Sequence, residues 1–212
     1  MSKVKIEGNA SGTGTFTIAA PNSNTDRTFN LPDEAGTVLT SASSIPASSI
    51  TGLTQGITRA EQWRIVTTQT ISSSGNQNIT GGFELDDTYS PGSINQGMTE
   101  SGGTFTFPET GIWLITATVD FYTSSPQRYA GPFIRVTTNN STYYLAASSY
   151  GSTDAFNTLV NVTVTISTIF DVTDTSTHKC RFGLTSENGN LNLDGSSTTS
   201  TNSFTFIRLG DT

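Results

Sequence analysis

Over Thr158–Phe170 the chain alternates. Leu159, Asn161, Thr163, Thr165 and Ser167 fall on one side of an extended strand, and Val160, Val162, Val164, Ile166 and Thr168 on the other. A period of two is that of a pleated strand, whose successive side chains point to opposite faces. A chain that repeats this pattern has to build sheets with one buried and one wetted face. The pattern recurs from about residue 63 onward at a spacing of roughly 8 to 15 residues, in Thr104–Phe107, Ile112–Phe121, Phe133–Thr137, Thr142–Ala147, Lys179–Leu184 and Ser203–Leu209. No stretch carries the apolar period of a long helix. The expected fold class is therefore all-β, a sandwich or barrel.

Two segments refine this. In Gly111–Asp120 the residues Trp113, Ile115, Ala117 and Val119 oppose Leu114, Thr116 and Thr118. Both faces carry apolar surface, so this strand is expected at a sheet centre. Arg59–Ile65 allows one helical turn, but the β-branched run that follows, Val66–Ile71, places a strand start near Trp63.

The first 40 residues read as short strands, Val4–Ile6, Gly12–Ile18, Arg27–Leu31 and Gly36–Leu39, separated by turn formers such as Pro21–Asn24 and Pro32–Glu34. They hold too few large side chains for a core of their own, so this β-rich arm is expected to dock on another surface. Its apolar residues Phe16, Ile18, Phe29, Leu31, Val38 and Leu39 are the candidates for that contact. Residues 41–62, rich in Ser, Thr and Gly, read as a linker. Residues 63–212 form the main β unit.

Composition narrows the function. Ser and Thr make up roughly 30% of the chain and charged residues only 13%, yet the 12 Phe supply enough apolar surface to offset ordering entropy. The net charge is −7, and the 10 Lys and Arg are scattered along the sequence. With no basic run to neutralise phosphates or anionic lipid, neither nucleic acid nor a membrane is an expected partner. Met1–Lys5 lacks the apolar region of a secretory signal, so synthesis in the cytoplasm without an export label is expected.

Catalytic options are few. One His and one Cys exclude an internal disulfide and most His- or Cys-based metal and nucleophile arrangements. Cys180 reads as a small core residue and His178 as a solvated loop residue; no catalytic residue is assigned. Glu84, Asp86 and Asp87, with Asp171 and Asp174, are carboxylates that suit a hard cation or an acid–base pair, but neither group has calcium-loop spacing. No cofactor is expected; calcium is the one ion the sequence leaves open. Tyr122, Tyr129, Tyr143, Tyr144 and Tyr150 lie in or beside Ser/Gly-rich turns. They are candidates for contact with a glycan or protein, or for packing at strand ends.

Two resemblances sharpen these expectations. The order Ala20-Pro21, Arg27-Thr28-Phe29-Asn30-Leu31-Pro32-Asp33 and Gly36-Thr37-Val38-Leu39, followed by Ile50-Thr51-Gly52-Leu53, is similar to a segment near the start of tailed-phage virion proteins, particularly fibres and decoration proteins. It implies a virion structural protein, with the arm as its anchor on phage capsid or tail proteins. The second runs over Gly103–Ile115, Phe105-Thr106-Phe107-Pro108 through Gly111-Ile112-Trp113, and the closing Ser203–Leu209. It resembles the trimeric jelly roll of the complement component q head and tumour necrosis factor. That family implies a ten-stranded sandwich, a homotrimer, and ligand contact through outer loops, with Trp113, Phe105, Phe107, Phe204 and Phe206 as core or axial residues. Together they imply a non-enzymatic protein of the virion surface. It would be either a capsid decoration protein or short head fibre, or a receptor-binding tail fibre touching a host glycan or protein.

Overall fold

The computed structural model describes residues 56–89, 92–153 and 158–212, with 10–15, 17, 19, 22–26 and 28. The chain divides into two compact units, Met1–Ile45 and Pro46–Thr212. Of the first unit only parts are described, and none of the described residues there is in a strand. The candidate anchoring residues Phe16, Ile18, Phe29, Leu31, Val38 and Leu39 all lie outside the described residues.

In the second unit the described residues form fourteen strands and no helix. They are β1 (Arg59–Ile65), β2 (Gln69–Ile71), β3 (Gly75–Asn78), β4 (Phe83–Leu85), β5 (Thr99–Ser101), β6 (Thr104–Thr106), β7 (Gly111–Thr123), β8 (Gln127–Thr137), β9 (Tyr144–Ser148), β10 (Gly151–Thr153), β11 (Val160–Val172), β12 (Lys179–Ser186), β13 (Leu191–Leu193) and β14 (Ser203–Gly210). They make two seven-stranded antiparallel sheets. The first runs β2-β13-β7-β14-β1-β4, with β11 on the other side of β7. The second runs β10-β8-β12-β6-β5, with β3 on β12 and β9 on β8. Sheet faces sandwich one core, and the all-β expectation holds.

The alternation read from the sequence sets which face is buried. In β7 every second residue from Gly111 to Thr123 is buried, and Leu114, Thr116 and Thr118 are half-covered. In β11 Asn161, Thr163, Thr165 and Ser167 are exposed, as the period predicts, and Ile169 and Asp171 continue that face. The interior is aromatic: Phe105 meets Trp63, Phe83 and Phe182 edge-on at centroid separations of 4.9 to 5.4 Å. Phe107 packs on Trp113 and Phe170. Edge-to-face contacts suit the ring quadrupole and add to area burial.

Two expectations of extent change. β1 starts at Arg59 rather than Trp63 and shows no helical turn, because Arg59–Arg64 pair residue by residue with Ser203–Arg208. β8 extends back through Gly131-Pro132 to Gln127, a segment that reads as a turn by composition. Gly131 is required there: a Cβ would lie 2.0 Å from the Ser149 carbonyl oxygen.

Candidate functional site

Phe105, Phe107, Trp113, Phe204 and Phe206 are at most 1% exposed within one chain. They are intrachain core and have no surface left for a subunit axis. Part of the apolar surface that remains lies on the outer face of the first sheet. There Ala60, Ile207, Leu114 and Ile169 stand side by side across β1, β14, β7 and β11. Ile169 is 65% exposed and the neighbouring Leu209 46%. Polar rows, Gln62-Thr205-Thr116-Ser167 and Ser203-Thr118-Thr165 beside the buried Arg64, continue that face.

The structure separates the five candidate tyrosines. Tyr129 and Tyr150 come together as an edge-to-face pair 6.0 Å apart, about half-exposed. Tyr144 is exposed on β9, Tyr122 is half-buried on the outer face of β7, and Tyr143 is half-buried beneath Arg181. Next to Tyr129, Arg128 helps line a cleft of about 480 Å³ with Pro126, Gln127, Ser152, Glu187 and Asn188. Glu187 accepts hydrogen bonds from both the backbone N–H (2.7 Å) and the side chain of Arg128. Those bonds and the guanidinium charge hold the Glu187 carboxyl below the usual carboxylate range, and the same hydrogen bond and charge hold Arg128 above its own. Gln127, buried below, donates to the Gly189 carbonyl and accepts from the Asn188 N–H, which fixes the floor.

The acidic cluster is spent on an arginine. Arg64, 1% exposed, donates to Glu84 (2.8 Å), Asp86 (2.8 Å), Asp87 (3.0 Å) and the Thr88 hydroxyl (2.9 Å). Asp86 also accepts from Gln62 and from Ser200. Burial opposes the charge on Arg64, but the hydrogen bonds it donates to Glu84 and the charges of Glu84, Asp86 and Asp87 outweigh it and hold the guanidinium above its ordinary range. Glu84, Asp86 and Asp87, offered by the sequence for a cation or for acid–base work, are thus ligands of a side chain. Asp174 is engaged locally by the Ser176 hydroxyl and N–H, which hold its carboxyl low.

His178 corrects its sequence reading. It is 7% exposed, stacked 5.6 Å from Phe170 and hydrogen-bonded to Thr173 and Thr177. A turn over 173–177 folds its ring back onto the β11 end, which no local pattern announces. Cys180 is fully buried, and burial pushes its thiol far above the ordinary range. Neither is placed to supply an accessible nucleophile or base.

One grouping escaped the sequence reading. On the outer face of the second sheet Arg181 of β12 stands directly opposite Arg135 of β8, with Lys179 two residues along the same face. The two arginines are 46 positions apart in the chain, so scattered cations become neighbours only through the β8–β12 register. Arg135 lies 4.7 Å over the ring of Phe133 and Arg181 4.0 Å over that of Tyr143.

No protein-family model matches the chain, and no curated protein matches it. Among solved structures it is similar to crystal structures of murine APRIL at pH 8.5 and pH 5.0. The identities are 13% and 12%, the TM-score is 0.50 for each, and both alignments cover 71% of this chain and 98% of the other. Likeness at such low identity extends to the fold alone, and it agrees with the antiparallel sheets above: the chain carries a jelly-roll sandwich of the tumour necrosis factor type.

Proposed function

We propose that the chain is a non-enzymatic structural protein of a bacteriophage virion, a trimeric capsid decoration protein or short head fibre held by its N-terminal arm and projecting its jelly roll from the surface. The observation that carries this reading is the joining in one chain of an arm similar to those of phage fibres and decoration proteins with a jelly-roll head. Trimerisation is supported by the row of half-covered Ile207 and Leu114 with the exposed Ile169, whose remaining surface a second copy would remove from water at roughly 25 cal/mol per Å². The non-enzymatic reading is supported by the engagement of Glu84 and Asp86 with Arg64.

A second reading, a receptor-binding tail fibre, is favoured by one feature: the exposed Tyr129–Tyr150 pair beside a polar cleft, a surface fit to stack on a host glycan or pack on a host protein. Antibody raised against the head, applied to purified virions and imaged by electron microscopy, separates the two. Label at regular positions over the capsid is the expected result. Label confined to the tail favours the second reading, and virions that take no label overturn both.

A further inference from the structure

Six arginines of the head are described, and four of them are neutralised within the chain. Arg59 pairs with Glu109, Arg64 with Glu84, Asp86 and Asp87, Arg128 with Glu187, and Arg208 with Glu109 and Asp211. Arg135 and Arg181 have no carboxylate partner among the described residues. They are also directly opposed across antiparallel strands, an arrangement in which like charges, about 5 Å apart at their Cβ atoms, repel.

The chain shows elsewhere what such a pair requires. Arg59 and Arg208 are likewise directly opposed, on β1 and β14, and Glu109 sits between them, 2.9 Å from one and 3.2 Å from the other. At Arg135 and Arg181 the same two cations are present and the carboxylate is missing. Arg135 makes no hydrogen bond to a described residue, and Arg181 spends only its Nε, on the Thr104 hydroxyl at 2.9 Å. The outward nitrogens of both forks are left as donors. Phe133 and Tyr143 lie against the two guanidinium groups, which limits their motion. The Tyr143 hydroxyl beside them is buried without a hydrogen-bond partner among the described residues.

We propose that this face binds a carboxylated sugar, a uronic acid unit of a surface polysaccharide, whose carboxylate takes between Arg135 and Arg181 the place that Glu109 takes between Arg59 and Arg208. A carboxylate matches the guanidinium fork in charge and geometry. A sugar is favoured over a peptide because β12 is paired on both sides here, with β8 and β6, and β8 with β12 and β9. Neither β8 nor β12 has a free edge here to take an added strand, so recognition at the two arginines runs through side chains. The row Ser101, Thr104, Arg181, Arg135, Leu145 offers those: hydroxyls for a polyol and the half-exposed Leu145 for the apolar face of its ring. This site goes beyond the virion reading and does not rest on it.

The test is calorimetric titration of tri-galacturonic acid into the full-length protein, with maltotriose and a tri-glutamate peptide as comparison probes. The expected result is saturable binding of tri-galacturonic acid that weakens in about 0.5 M salt, with at least ten-fold weaker binding of maltotriose and of tri-glutamate. Arg135→Gln and Arg181→Gln should each lower the affinity at least ten-fold with unchanged circular dichroism. Arg128→Gln, in the separate cleft, should bind as the parent does. Absence of tri-galacturonic acid binding overturns the proposal, as does equal binding by the Arg135 and Arg181 variants. Equal binding of maltotriose or of tri-glutamate overturns it too, the first by removing the need for the carboxylate and the second by removing the need for the sugar. If one variant fails to fold, the other carries the comparison.

Discussion

Arg64 is the most heavily engaged side chain of the head, and the cost of losing it follows from what it leaves behind. Arg64→Met would keep the buried volume but leave Asp86, itself largely buried, without its cation, a loss of about 3 kcal/mol. Arg64→Lys should recover part of that, since a lysine restores the charge but lacks the fork that reaches Glu84 and Asp86 together. Urea unfolding of the three proteins gives the order. Two other carboxyls set the pH behaviour. Asp174 and Glu187 both have folded values below their ordinary 3.8 and 4.5, so their contribution is present above about pH 4.5 and is lost as the pH falls through the lower, folded values. A midpoint temperature that drops between pH 4.5 and pH 2, with a shallower drop in Glu187→Gln, is the expected result. An identical profile in that variant would count against it.

Among the elements, β12 depends on one missing side chain. A Cβ on Gly183 would lie 2.2 Å from the edge of the Phe133 ring and 2.3 Å from the Gln77 carbonyl oxygen, and the second of these cannot swing away. Gly183→Ala should therefore cost at least 2 kcal/mol by overpacking, read as a lower urea midpoint at unchanged slope. The long strands were legible in the sequence because their alternation is a direct record of burial: β7 buries the set of residues that the period of two assigns, and β11 exposes its polar set while covering the other at least partly. β3, β5 and β10 were not, because segments such as Gly75-Asn76-Gln77-Asn78 hold strand geometry through the ladder of a neighbour and carry no apolar face of their own, and β13, with Leu191 and Leu193 buried, is only three residues long. The same holds for the sites. Tyr129 and Tyr150 could be named from their turns, but Arg135 and Arg181 become a pair only through the register between β8 and β12. His178 was misread because its burial depends on Phe170, a tertiary partner.

At the scale of the whole molecule, the trimer proposal places the strongest demand on the outer face of the first sheet. Ile169→Asp adds a charge where Leu114 and Ile207 line the same row, while leaving the intrachain core untouched. Sedimentation should show trimer for the parent and monomer for the variant at micromolar concentration, a shift that reflects the cost of burying an unpaired carboxylate. A variant that still sediments as a trimer would move the contact elsewhere. The order of strands has one more consequence. β14 lies between β1 and β7, so the first strand of the head is held in its sheet by the last, about 150 residues later. During synthesis, β1 leaves the ribosome long before its partner exists, and the first sheet stays open until Ser203–Gly210 has emerged. Closure thus waits on the synthesis of β14, and for that interval the edges of β1 and β7 stand open to the same edges on neighbouring nascent chains.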